Sequence, residues 1–99
     1  MELVLTDFRS WLEGQSPEKV VGRRSDAEGC PIATYLLATK QAETIWVSAN
    51  YYYEKHPMDS PILDMPSWAR QFVRAVDLAV SFDITADNAL EILNRLEAA

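Results

Sequence analysis

SWARQFVRAVDLAVS, residues 67–81, carries the strongest periodicity in the chain. Ala69, Phe72, Val73, Val76, Ala79 and Val80 recur at helical spacing, while Arg70, Arg74, Asp77 and Ser81 form the opposite stripe. Pro66-Ser67 marks the start, so an amphipathic helix is expected over 67–81. Trp68, Ala75 and Leu78 widen its apolar side, which places the helix centrally in the core.

Downstream, Phe82-Asp83-Ile84-Thr85 reads as a short link whose last residue is a good N-cap. A final helix follows over 86–97, with Ala89, Leu90, Leu93 and Leu96 as its buried line. Upstream, Thr6 is expected to cap a helix that Gly14 ends, with Leu5, Phe8, Trp11 and Leu12 inward. Pro31 suits the first turn of another helix over 31–40, with Ile32, Tyr35 and Leu36 inward and Thr39 a candidate for the same line. Residues 15–29 between these two are rich in turn formers, and Lys19-Val20-Val21 forms a brief extended piece within them.

The β-prone segment is Thr44-Ile45-Trp46-Val47-Ser48, followed by Tyr51-Tyr52-Tyr53. Ala49-Asn50 supplies a tight turn between them, which sets Trp46 opposite Tyr53 and Ser48 opposite Tyr51. Residues 56–66 hold three prolines and are too broken for a helix or a central strand. The expected fold is α+β and helix-rich: about four helices with a small two-stranded β-hairpin packed against them.

A chain of 99 residues has room for one domain, taken here as 1–99. Its hydrophobic content of 48% is that of a globular rather than a disordered chain. Fifteen acidic against nine basic residues give a net charge of −6, which disfavours direct contact with nucleic acid or anionic lipid. The acids are spread along the chain rather than massed, so the charge reads mainly as a solubility feature. Met1 to Asp7 lack a basic start and a long apolar stretch, so no signal peptide is expected. With one cysteine and no membrane-length apolar run, a cytoplasmic protein is the default.

No constellation for catalysis stands out. Cys30 precedes a helix start, where thiolates are favoured, but Asp26 and Glu28 oppose ionisation and His56 is the only histidine. One cysteine and one histidine do not make a zinc site, and Asp83, Thr85 and Asp87 lack the glycine and glutamate of a calcium loop. Gly14, Gly22 and Gly29 stand too far apart for a phosphate cradle. Arg23-Arg24, the only basic pair, is ordinary solvated surface rather than an anion clamp, and Asp87 and Glu91 are neighbours on the polar face of the last helix. No catalytic residue, metal or cofactor is expected, and an enzyme is disfavoured.

The three adjacent tyrosines are the most informative feature. Successive strand residues point to opposite faces, so Tyr51, Tyr52 and Tyr53 do not all enter one core. One hairpin face holds Trp46, Ser48, Tyr51 and Tyr53; the other holds Ile45, Val47, Tyr52 and Glu54. The helices of so small a domain cover one face. The second is either sealed by the Pro-rich loop, through Met58, Ile62, Leu63 and Met65, or left open for a protein partner or another copy of the chain. Trp46, Tyr51 and Tyr53 are therefore the candidate partner-binding residues of a non-enzymatic interaction or regulatory module. Two alternatives are a thiol-dependent enzyme or redox sensor using Cys30, and an inhibitor presenting acidic residues to a nucleic-acid-binding protein.

Overall fold

The periodic segments fold as helices and enclose a core fed from both ends of the chain. A computed structural model describes residues 1–56, 59–79 and 81–98. In chain order the elements are α1 (Leu5–Glu13), β1 (Val20–Arg23), α2 (Pro31–Ala38), β2 (Trp46–Val47), β3 (Tyr51–Tyr53), β4 (Leu63–Asp64), α3 (Ser67–Asp77), β5 (Asp83–Thr85) and α4 (Ala86–Ala98). The fold is α+β, with four helices and two small antiparallel sheets among the described residues.

The centres of the stripes read from the sequence bury, while Leu5, Trp11, Ala79, Leu90 and Leu96 are only partly covered and Ile92, outside the expected α4 line, joins the core. Ala69, Phe72, Val73 and Val76 of α3 meet Phe8 and Leu12 of α1 and Ala89, Ile92 and Leu93 of α4 in one cluster, with Leu90 and Leu96 at its margin. Phe8 sits at the hub, with rings of Trp11, Tyr35, Trp68 and Phe72 around it at centroid distances of 5.2–6.2 Å. Arg9 reaches from α1 to α4, donating to Asn94 Oδ1 at 2.8 Å and pairing with Glu97 at 2.6 Å.

Three helix ends depart from the expectation, each for a local reason. α1 begins one residue before Thr6, on an extended Val4, and no side chain caps it. Leu5 continues the apolar face, so packing rather than capping starts this helix. α2 stops at Ala38, not Lys40, and Thr39 is exposed with its hydroxyl turned back to the Tyr35 carbonyl at 2.8 Å. Gln41 N–H donates to Leu36 O at 3.0 Å and Lys40 N–H to Leu37 O at 3.1 Å, the paired bonds of a Schellman end, with Lys40 left-handed at φ 59°. Glycine takes that conformation without the Cβ penalty. Lys40→Gly is expected to raise stability by up to about 1 kcal/mol, read from the urea unfolding midpoint; a lowered midpoint would contradict this account of the helix end.

α3 ends at Asp77, four residues early. Arg24 draws the chain away from the helix: its guanidinium donates to Ala79 O at 2.8 Å and its backbone N–H to Phe82 O at 3.0 Å. Leu78 consequently points outward, 85% exposed, instead of flanking a buried stripe. Met58 and Val80, assigned above to the loop seal and the helix stripe, lie outside the described residues.

The β-structure is larger than the expected hairpin. β2 and β3 pair with Trp46 opposite Tyr53 and Val47 opposite Tyr52, the register set by the Ala49-Asn50 turn. Ser48 holds that turn: its Oγ accepts from Asn50 N–H at 3.2 Å and Tyr51 N–H at 3.1 Å. A third strand, β4, adds to β3 with Tyr51 opposite Asp64 and Tyr52 opposite Leu63, so the sheet order is β2-β3-β4. The second sheet joins β1 to β5 through Val20–Thr85, Gly22–Ile84 and Arg23–Asp83, with a bulge between Val20 and Gly22. The link read at 82–85 thus holds a strand over Asp83–Thr85. It leads directly into α4, whose first N–H groups are satisfied by Lys19 O, Pro17 O and the Thr85 side chain.

Candidate functional site

Alternation along the three-stranded sheet sorts its residues by face. Ile45, Val47 and Tyr52 are buried, and Leu63 packs against them from β4. Burial first, and then the Glu2 carboxylate, push the Tyr52 phenol above its ordinary pKa. The opposite face carries Trp46 and Tyr53, cross-strand partners, together with Tyr51 and its partner Asp64. Tyr51 is 39% exposed, Trp46 and Tyr53 are half-buried, and Asp64 is exposed. The Tyr51 and Tyr53 rings stack at 6.2 Å with 22° between their planes. Ile62, just before β4, is 66% exposed. The structure thus brings all three candidate residues together on one side of one sheet.

The described part of the Pro-rich segment packs on the inner side of this sheet through Leu63 and Met65. Met65 is buried in the core and Leu63 packs against it. Val47 N–H donates to Ala27 O at 2.9 Å, so a loop also guards part of the β2 edge. A cleft of about 210 Å³ lies beside Trp46, lined among others by Asp26, Cys30, Val73 and Asp77.

The other chemical candidates are occupied by structural roles. Cys30 is buried as the N-cap of α2, its Sγ accepting from Ala33 N–H at 3.5 Å. Burial pushes its thiol up to about 11 from an ordinary 9.0; the Ala33 and Ile32 N–H groups pull the other way, and Asp77 and Asp26 add to the rise. The helix-start effect that favours a thiolate is outweighed by desolvation. Because the unfolded chain loses this proton first, stability is retained below about pH 9 and falls as pH rises towards about 11, by about 2–3 kcal/mol. Tyr35, raised chiefly by burial and then by Asp7, and Tyr52 add to the same alkaline loss. The urea midpoint should drop between about pH 8 and pH 10.5, and Cys30 should resist alkylation until unfolding; an unchanged midpoint would contradict the burial argument.

His56 is exposed, its backbone N–H donating to Thr44 Oγ1 at 3.0 Å. Arg24 holds the carbonyls of Ala79 and Phe82 as described, and Arg23 faces Asp26 at 3.9 Å. Thr85 caps α4 in a reciprocal pair with Asn88. Among the described residues, no group of three or more His, Cys, Asp or Glu side chains is placed to hold a metal, and no helix is long and apolar enough to cross a membrane.

One recess escaped the sequence reading. A groove of about 540 Å³ runs between the end of α3 and α4, lined by Leu78, Ala79, Ile84, Ile92 and Leu96, with Glu91 and Arg95 at the α4 side. Phe82, next to the lining residue Ser81, is 55% exposed. The only sequence signal was an apolar run extending past the α3 stripe, which helical periodicity assigned to the core. Comparison of the chain with protein-family models, with curated proteins and with solved structures returns no match.

Proposed function

We propose that the chain is a non-enzymatic protein-interaction module whose contact surface is the outward face of the three-stranded sheet, anchored by Trp46, Tyr51 and Tyr53. The observation that carries the reading is that the register sets three aromatic residues on one side of the sheet, Tyr51 exposed and Trp46 and Tyr53 half-buried, while the opposite side is buried. Tyrosine and tryptophan combine a large apolar area with a polar tip and few rotatable bonds, which is why they concentrate at protein contacts. Placement on paired strands fixes the rings before a partner arrives, so little ordering entropy opposes binding. The thiol-dependent alternative loses support from the burial of Cys30 and its raised pKa.

Trp46→Ala and Tyr53→Ala test the reading. Each is expected to weaken partner association by about tenfold or more, the scale of an interface hot spot, as measured by co-purification with the tagged chain. The circular dichroism spectrum should stay that of the parent. Retained association in both variants would overturn the assignment, as would loss of association that follows unfolding.

A further inference from the structure

We propose that the α3–α4 groove is a self-association face, where two copies of this chain pack about a twofold axis with their α4 helices antiparallel. This surface lies apart from the aromatic sheet face and the inference does not depend on the function assigned there.

Three observations support it. First, protrusion and recess sit side by side: Leu78, 85% exposed, and Phe82, 55% exposed, border a groove of about 540 Å³ lined by Ala79, Ile84, Ile92 and Leu96. A twofold interface places the same patch on both partners, so a patch holding both a knob and a hole can fill itself. Second, among the described residues Glu91 and Arg95 are the charged groups of the lining, one of each sign, so the groove itself is neutral in a chain of net charge −6. Opposite charges in the groove offset part of the repulsion that two copies of this acidic chain meet.

Third, the two charges are arranged for exchange. Glu91 and Arg95 are one turn apart on α4, both largely exposed, and paired within the chain at 3.5 Å. In an antiparallel crossing, Glu91 of one copy meets Arg95 of the other, and the reverse holds at the same time. The required area is modest. A standard interface covers about 800 Å² per partner, about one-seventh of this chain's 5814 Å².

Light scattering and sedimentation across a concentration series test the proposal, with circular dichroism as the check of folding. The chain is expected to dimerise. Phe82→Asp and Leu78→Asp, at exposed positions that the fold tolerates, should each raise the dissociation constant by about tenfold or more. Tyr51→Ala should leave it unchanged. Glu91→Arg and Arg95→Glu should each be monomeric alone, yet form a mixed dimer when combined, since two bases of one copy then face two acids of the other across the axis. A chain that stays monomeric at high concentration overturns the proposal. So does a dimer indifferent to Phe82→Asp and Leu78→Asp, a dimer lost through Tyr51→Ala, or a pair of charge variants that fail to combine.

Discussion

Phe8→Ala is expected to lower the free energy of unfolding by about 3–5 kcal/mol, a large share of the 5–15 kcal/mol that holds a typical domain. Phe8 has no exposed surface and belongs to a helix only nine residues long, too short to persist without tertiary packing. Its ring makes edge contacts with Tyr35 of α2 at 5.3 Å and Phe72 of α3 at 5.2 Å, and lies 5.7 Å from the ring of Trp68. Truncation therefore removes the point where three helices meet and leaves a cavity that neighbours on separate elements do not easily fill. Urea unfolding should show the midpoint falling sharply with an unchanged slope. A loss under about 1 kcal/mol would mean that α1 docks through its partly buried residues instead.

Gly22→Ala should be almost as damaging, for the opposite reason. A Cβ built on Gly22 would lie 2.4 Å from Pro31 N, 2.7 Å from Cys30 C and 2.8 Å from Pro31 Cδ. These are backbone and ring atoms at the start of α2, so relief requires that the helix move away from β1. Overpacking of this kind costs about 1–3 kcal/mol and more where the obstacle is rigid, and the upper end is expected here. The same displacement should loosen the pocket around Cys30 and speed its alkylation. Gly14→Ala is the matched control: its Cβ would meet nothing closer than 3.5 Å, and Gly14 already has right-handed helical angles. Stability there should hold or rise slightly. Equal losses at the two glycines would remove the close-approach explanation.

The sequence revealed the elements whose signals are local. α3 and α4 show a 3.6-residue period and were legible, as was the register of Trp46 with Tyr53, since it follows from a two-residue turn. Tyr51 and Tyr53 could be placed on the face opposite Tyr52 for the same reason. The pairing of β1 with β5 was not legible, because strands of three or four residues joined by some sixty residues of chain leave no periodic trace. β4 is two residues long within a Pro-rich segment and acquires its state from Tyr51 and Tyr52 alongside. Lys40 occupies a left-handed position where glycine would have announced the end of α2. Arg24, more than fifty residues away in sequence, decides where α3 stops. The α3–α4 groove follows from that early stop, so it was invisible for the same reason.

The outward sheet face is the centre of the functional account, and a photo-crosslinking amino acid in place of Tyr53 probes it most directly. Irradiation in the producing cell should yield a discrete protein adduct from position 53, absent when Trp46 is also changed to alanine and absent from the same probe at Leu37, an exposed residue of α2. No adduct at position 53, or equal adducts at 53 and 37, would contradict the account.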